Sequence, residues 1–320
     1  MRMNSTRWGA GWGARLTAGV VVSCACATAL AAPPLENPPT ATRGLRNILI
    51  TGYWPPTNEM VRSWSRSPTQ NPGGWQGGNW EGRGYNVMSY FPEFPGGTGT
   101  NPKGNGDFEV DYQDTAADWA RVVAEVRPVA IITFSRANTS IGWEMEPATR
   151  RHRLPGEANP PGRNILQYTQ DYSGNRYPSD VPIAMEPIGN IRNSTLPMQA
   201  IVDNVRAAIS PTLVDPFIPA YNPANPDAFD FGGAFLSGYI GYLGSWYRDQ
   251  NINDSFLPCF AAGHVHVGRN MTVSAATQAT QVTLRTLTDY LDGVVPSPGV
   301  TVFVVAGLMG FGRRRRSMAK

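Results

Sequence analysis

The run Val129-Ala130-Ile131-Ile132-Thr133-Phe134 constrains the fold of this chain more than any other stretch. It is apolar at consecutive positions, with no alternation, so as a strand it must be covered on both faces. Asn47-Ile48-Leu49-Ile50-Thr51-Gly52 has the same character and closes on a glycine. Tyr85 to Phe91, Phe217 to Tyr221 and Ala261 to Val267 read as further strands. Helical spacing falls between them. Asp114 or Thr115 is positioned to cap a helix running to Val126, before Pro128. Ser194-Thr195-Leu196-Pro197 has the hydroxyl caps and early proline of a helix start, and Ser274 to Leu291 is amphipathic. Strands alternating with helices predict an α/β fold, a three-layer α/β/α sandwich around a central, mostly parallel twisted sheet.

The two ends of the chain differ from this body. Residues 1–31 carry Arg2, Arg7 and Arg15, then the apolar Leu16 to Val22, then Ala29-Leu30-Ala31. That is the order of a secretory signal peptide cleaved after Ala31. A variant reading takes Val21-Val22-Ser23-Cys24 as a lipoprotein box with Cys24 lipidated. Residues 32–46 are Pro-rich and read as a linker. Residues 293–320 contain Pro296-Ser297-Pro298, an apolar run from Val300 to Phe311, and Arg313 to Arg316. This tail resembles the PEP-CTERM sorting signal, with Pro-Ser-Pro for Pro-Glu-Pro; a plain membrane tether is the alternative. Both readings place the body, 47–292, outside the cytoplasm, at the cell envelope or surface. Signal peptidase is then an expected processing partner and, through the tail, an exosortase.

Eight of the 27 Lys and Arg, and none of the 24 acids, lie in residues 1–31 and 293–320. Residues 32–292 therefore carry 19 basic against 24 acidic residues, a net of −5, which argues against nucleic-acid binding. Cys24 and Cys26 belong to the signal, so Cys259 stands alone and the body has no disulfide framework.

Gly232-Gly233 leads from a loop into the apolar, aromatic run Ala234 to Leu243. A helix opening there places Ser237 in its first turn, where unpaired backbone N–H groups and the positive dipole end stabilise a neighbouring anion. The alternative for Ser237 is a small residue at a tight helix contact.

Four segments in order resemble the pyroglutamyl peptidase I (pyrrolidone-carboxylate peptidase) family. They are Ile50-Thr51-Gly52-Tyr53, Ile141-Gly142-Trp143-Glu144, Ser194-Thr195-Leu196-Pro197, and the Ser237 helix followed by His264-Val265-His266-Val267. The resemblance spans Asn47 to Leu291. It implies an α/β/α sandwich and a hydrolase acting on N-terminally blocked peptides through a Cys-His-Glu triad, with no cofactor. By position, the histidine falls on His266, the glutamate on Glu144 and the nucleophile on Ser237, a serine where the family has cysteine. A serine must lose its proton during attack, so His266 would act as general base and Glu144 would fix its tautomer. Glu146 is a second choice as orienter.

The resemblance also implies substrate contacts. The family's two loop phenylalanines fall on Tyr53 and Pro56, with Trp54 between them. Its ring-reading glutamine falls on Phe134 and its anion-stabilising arginine on Asn138, with Arg136 close by. These exchanges turn the expected substrate from pyroglutamate toward a small N-terminally blocked peptide, amide or ester. A catalytically silent ligand-binding module on the same fold is the alternative.

Other chemistry is weighed against structural roles. His264 and His266 share a strand face and, with His152, exhaust the histidines, but no third zinc ligand stands at diagnostic spacing. Cys259 reads as a buried free thiol. Asp227 and Asp230 read as loop residues. Trp64, Trp75 and Trp80 in the Gly- and Trp-rich loop 63–84 read as anchors of that loop, with a carbohydrate platform as the alternative. A second glycine-rich loop covers 95–106. The sequence does not specify an oligomeric state.

Overall fold

In the computed structural model, which describes residues 45–137, 142–154, 156–168, 185–215 and 233–295, the apolar runs form one central sheet. Its members are β1 (Arg46–Thr51), β2 (Tyr85–Tyr90), β5 (Ala130–Ala137), β6 (Trp143–Glu146) and β9 (Ala261–Gly268). The order across the sheet is β2-β1-β5-β9-β6. Neighbours among the first four are parallel, and β6 runs antiparallel to β9. Two small antiparallel pairs lie outside it: β3 (Pro92–Glu93) with β4 (Asn105–Gly106), and β7 (Ala148–Arg150) with β8 (Ile191–Asn193). The short helix α1 (Thr57–Met60) follows β1.

Alternate strand residues face opposite layers. Ile48, Ile50, Ala130, Ile132, Phe134, Val265 and Val267 share a core with Ile201, Val202 and Val205 of α3 (Met198–Ala208) and Leu284, Leu287 and Leu291 of α5 (Val273–Val294). Leu49, Ile131 and Ala262 pack on the other side against Trp119, Val122 and Val126 of α2 (Tyr112–Val126) and Tyr239, Ile240 and Leu243 of α4 (Leu236–Asn251). The expected three-layer α/β/α sandwich with a mostly parallel sheet is therefore the observed fold.

Several local expectations need correction. The cap of α2 is Asp111, whose carboxylate accepts from Gln113 N–H at 2.9 Å; Thr115 lies inside the helix and bonds Tyr53 instead. Ser194 and Thr195 do not cap α3, which starts at Met198 after Pro197. Thr195 pairs with the sheet: its N–H donates to Ala262 O at 2.9 Å and its hydroxyl accepts from Ala262 N–H at 2.8 Å. That contact covers the start of β9 where β6 does not reach. The closing helix α5 continues through Gly293 and Val294, past the boundary expected for the tail. The strand expected at Phe217 to Tyr221, the linker up to Gly44, the signal segment and the tail from Pro296 onward lie outside the described residues.

The loop 63–84 covers the free edge of β2. Val87 N–H donates to Gly77 O at 2.9 Å, and Trp75 Nε1–H donates to Val87 O at 2.9 Å. Trp64 and Trp80 meet edge to face in the core, with ring centres 6.4 Å apart. The tryptophans are loop anchors, and the loop removes an unpaired sheet edge. Among the described residues no helix is long and apolar enough to cross a membrane.

Candidate functional site

The apolar pattern on the α2/α4 side of the sheet stops toward the carboxyl ends of the strands. Thr133 and Ser135 of β5 stand in register with His264 and His266 of β9. Glu144 and Glu146 of β6 stand opposite His266 and His264 respectively. Paired residues point to the same face, so the register gathers six polar side chains on one side of three strands.

His264 is fully buried. Its Nδ1 lies 2.7 Å from the Thr133 hydroxyl and its Nε2 lies 2.8 Å from the Ser135 hydroxyl. Burial, with a lesser push from His266, holds its pKa well below the ordinary histidine value. A neutral ring with both nitrogens committed is a floor piece and not a zinc ligand. His152, buried edge to face against Tyr168 at 5.3 Å, is lowered to about 4, first by burial and then by Arg150.

His266 meets His264 edge to face at 4.8 Å and is only partly buried. Its Nδ1 lies 2.6 Å from Glu146 Oε1. The carboxylate in contact with His266 is therefore Glu146 rather than Glu144. Glu144 is the direct cross-strand partner, but Glu146 reaches His266 along the diagonal, because the ring opposite Glu146, His264, is already held by the two hydroxyls. The Glu144 carboxyl is raised by its burial and by the charge of Glu146, and His266 partly offsets this. Nε2 of His266 makes no hydrogen bond to a described residue.

Helix α4 supplies the other half of the site. Gly233, with φ of 66°, turns the chain into it, and Phe235 stands at its N-cap without a side-chain bond. Leu236 and Ser237 open the helix, so the expected first-turn position of Ser237 is the observed one. The helix runs antiparallel to β9: Arg248 Nε donates to Phe260 O at 3.3 Å near its end, and Gly241 sits over His264 in its middle. A side chain at Gly241 would stand 2.9 Å from Thr149 Cγ2 and 3.2 Å from His264 Cβ, so only glycine allows this approach. From Gly241 to Ser237 is one turn, about 6 Å toward the carboxyl end of the sheet. From His264 to His266 is about 6.6 Å in the same direction. Ser237 and His266 thus advance together from one fixed contact, although no hydrogen bond joins them among the described residues.

The expected substrate contacts separate. Trp54 is half-buried; its Nε1–H donates to Pro102 O at 2.7 Å, and the Arg136 guanidinium lies 4.5 Å from the centre of its ring. It ties the first loop to loop 95–106. Tyr53 is buried, with its hydroxyl 2.8 Å from Thr115 Oγ1. Phe134 does not line the site: it is fully buried on the α3/α5 side, its ring tilted against that of Trp143 with centres 5.5 Å apart. The parity of β5 decides this, since Ser135 takes the face that His266 uses and Phe134 takes the other. Asn138, Asp227 and Asp230 lie outside the described residues. Cys259 is a buried free thiol before β9, at the opposite end of that strand from His266, and burial pushes its pKa up to about 12.

Sequence reasoning ranked Glu146 second and did not foresee the bonds of His264. The Trp-Glu-Met-Glu alternation, with Trp143 and Met145 buried, puts both glutamates on the polar face but neither chooses between them nor shows the bonds of His264.

No family model matches the chain, and no curated protein matches it. Solved structures similar to it include a mutant pyrrolidone carboxyl peptidase from Pyrococcus furiosus, at TM-score 0.49 and 15% identity over 77% of this chain and 99% of the other. The pyrrolidone carboxyl peptidase from Thermococcus litoralis aligns at TM-score 0.49 and 17% identity over 79% of this chain and 100% of the other.

Proposed function

We propose that the protein is an exported hydrolase that cleaves a small N-terminally blocked peptide, amide or ester, with Ser237 as nucleophile, His266 as general base and Glu146 as its orienting partner. The observation that carries this reading is the 2.6 Å contact between His266 Nδ1 and Glu146 at the carboxyl end of the sheet, the end toward which the first turn of α4 points. A carboxylate on Nδ1 keeps the proton there and leaves the Nε2 lone pair available. Nε2 then takes the Ser237 proton as Oγ bonds to the substrate carbonyl carbon. The imidazolium returns that proton to the leaving nitrogen or oxygen as the acyl bond breaks. Water repeats the sequence and releases the acid. The N–H groups of the first turn of α4 are the donors available to the developing oxyanion.

Export rests on the composition of the two ends, and the substrate class rests on the resemblance as modified at its reading positions. A buried Phe134 and a Tyr53 hydroxyl committed to Thr115 give little support to pyroglutamate itself.

A fluorophosphonate probe tests the chemistry. Ser237 should be labelled in the folded protein, and labelling should be lost in Ser237→Ala and His266→Ala. Folded protein that never reacts would overturn the hydrolase reading. A second reading is a ligand-binding module on the same fold, its ligand surface formed by the aromatic loop in which half-buried Trp54 packs on Arg136. For such a module, ligand-induced stabilisation would survive Ser237→Ala and fail in Trp54→Ala.

A further inference from the structure

We propose that Glu144, Glu146 and His266 form a binding site for a divalent transition-metal ion of the zinc type, and that filling it switches the hydrolytic centre off. The binding claim stands on the geometry alone; the switching claim rests on the hydrolase reading.

One donor atom from each of the three residues lies within 4.8 Å of the other two, and all three side chains are half-buried. Two come from alternate positions of β6 and the third from the facing position of β9, so the backbone that holds them is a paired ladder. The charge balance around them is unusual for this molecule. Elsewhere, carboxylates brought close together have a cationic side chain between them: Lys103 lies among Glu109, Asp111 and Asp114, and Arg121 bridges Asp107 and Asp118. Among the described residues neither Glu144 nor Glu146 is paired with a Lys or Arg, and the only ring between them is the imidazole of His266. Two carboxylate oxygens and one imidazole nitrogen are a donor set for zinc and its neighbours, with room for a solvent ligand. Magnesium and calcium, which prefer oxygen throughout, suit it less.

The consequence follows from the tautomer. In the hydrolase reading the ring proton sits on Nδ1, shared with Glu146. An ion bound at Nδ1 takes that proton's place, and the neutral ring then carries its proton on Nε2. Nε2 becomes a donor and cannot accept the proton of Ser237. The Nδ1–H bond is broken as its proton passes to solvent and an Nε2–H bond forms with a proton taken from solvent, so no net proton is released from the ring and no other covalent bond changes.

The test uses tag-free, chelator-treated full-length protein and zinc chloride. Calorimetric titration should show one zinc per chain. Glu144→Gln and His266→Ala, each checked by thermal melting for an intact fold, should weaken it by on the order of 10- to 100-fold. Zinc should suppress fluorophosphonate labelling of Ser237 over the same concentration range, and chelator should restore it. Absence of stoichiometric zinc binding, affinity unchanged in the folded Glu144→Gln variant, or magnesium binding as tightly as zinc would each overturn the site. Zinc binding with the expected variant dependence in a protein that never labels would uphold the site and remove the hydrolase reading. Labelling of Ser237 that proceeds unchanged with zinc bound would uphold the hydrolase reading and overturn the switching claim.

Discussion

The two faces of the central sheet are made by alternate residues of the same strands, yet they end differently. On the α3/α5 side Ile48, Ile50, Ala130, Ile132, Phe134, Val265 and Val267 stay apolar along their length. On the α2/α4 side Leu49, Ile131 and Ala262 begin apolar, and the next positions are Thr51, Thr133, Ser135, His264 and His266. One face is therefore a packing surface throughout. The other changes chemistry toward the carboxyl ends of the strands, where open α/β sheets bind ligands. The buried polar groups on that face are tolerated because local bonds satisfy them, as in the hydroxyl clamp on His264.

The sharpest way to break this comparison is to alter the two neighbouring histidines separately. His266→Ala should lower the probe reaction by roughly 10²- to 10⁴-fold, the range of a lost general base, with little change in melting temperature. His264→Ala should cost roughly 2–5 kcal/mol of stability, because it opens a cavity and strands two buried hydroxyls. Chemical denaturation and labelling kinetics on both variants separate the outcomes. If His264→Ala abolished labelling in a fully stable protein, the division between floor and working residue would be wrong.

The apolar face is tested by Phe134→Ala. Its ring is buried on Trp143, so truncation should cost about 3–5 kcal/mol, read as a lower urea midpoint. The labelling rate per folded molecule should stay the same. A change in substrate preference at undiminished stability would return Phe134 to the site.

The strands β1 and β5 were legible in the sequence because continuous burial leaves a continuous apolar signature, which β2 interrupts with Asn86 and Ser89 and β9 with its two histidines. The α4 start was legible because glycine precedes an aromatic run. Glu146 was harder to choose, since one strand offers two glutamates and only the cross-strand register shows that the ring facing Glu146 is already held. Phe134 was misplaced because a match by position carries no parity, whereas a pleated strand assigns each residue to one face. The cap of α2 was missed by one turn, as Asp111 and Asp114 are equally good residue types and only the backbone of Asp111 is extended. The β7–β8 pair joins segments distant in sequence, and neither member carries a periodic pattern of its own.

Acid should act on the buried imidazoles before it reaches the rest of the polar face. His152 is lowered from 6.5 to about 4 by burial and by Arg150 and Arg151. The unfolded chain therefore binds a proton that the folded chain refuses. This contribution to stability is complete above pH 6.5 and is lost as pH falls from there toward 4, by about 3 kcal/mol in all. His264 works in the same direction. In His152→Phe, which keeps a ring against Tyr168, the fall in unfolding free energy between pH 6.5 and 4 should be shallower than in the parent protein. An unchanged slope in urea titrations across that window would show that the ring is not excluded from water.

The smallest expected effect concerns the loop that borders the polar face. Trp54 holds Arg136 by its ring and Pro102 by its Nε1–H, and these are separable. Trp54→Phe keeps a ring for the guanidinium and loses the bond to loop 95–106; Trp54→Leu loses both. The step from Phe to Leu should cost about 0.5–1 kcal/mol, the size of a partly exposed cation–π contact. It should nearly vanish when Arg136 is also replaced by methionine. If the loop only frames the site, that cost will appear as a few-fold rise in KM with kcat held, because the contact is equally present in ground and transition states. A fall in kcat of the same size would instead bring Arg136, which the parity of β5 assigns to the face of Phe134 and Val267, around the strand end toward the reacting carbonyl.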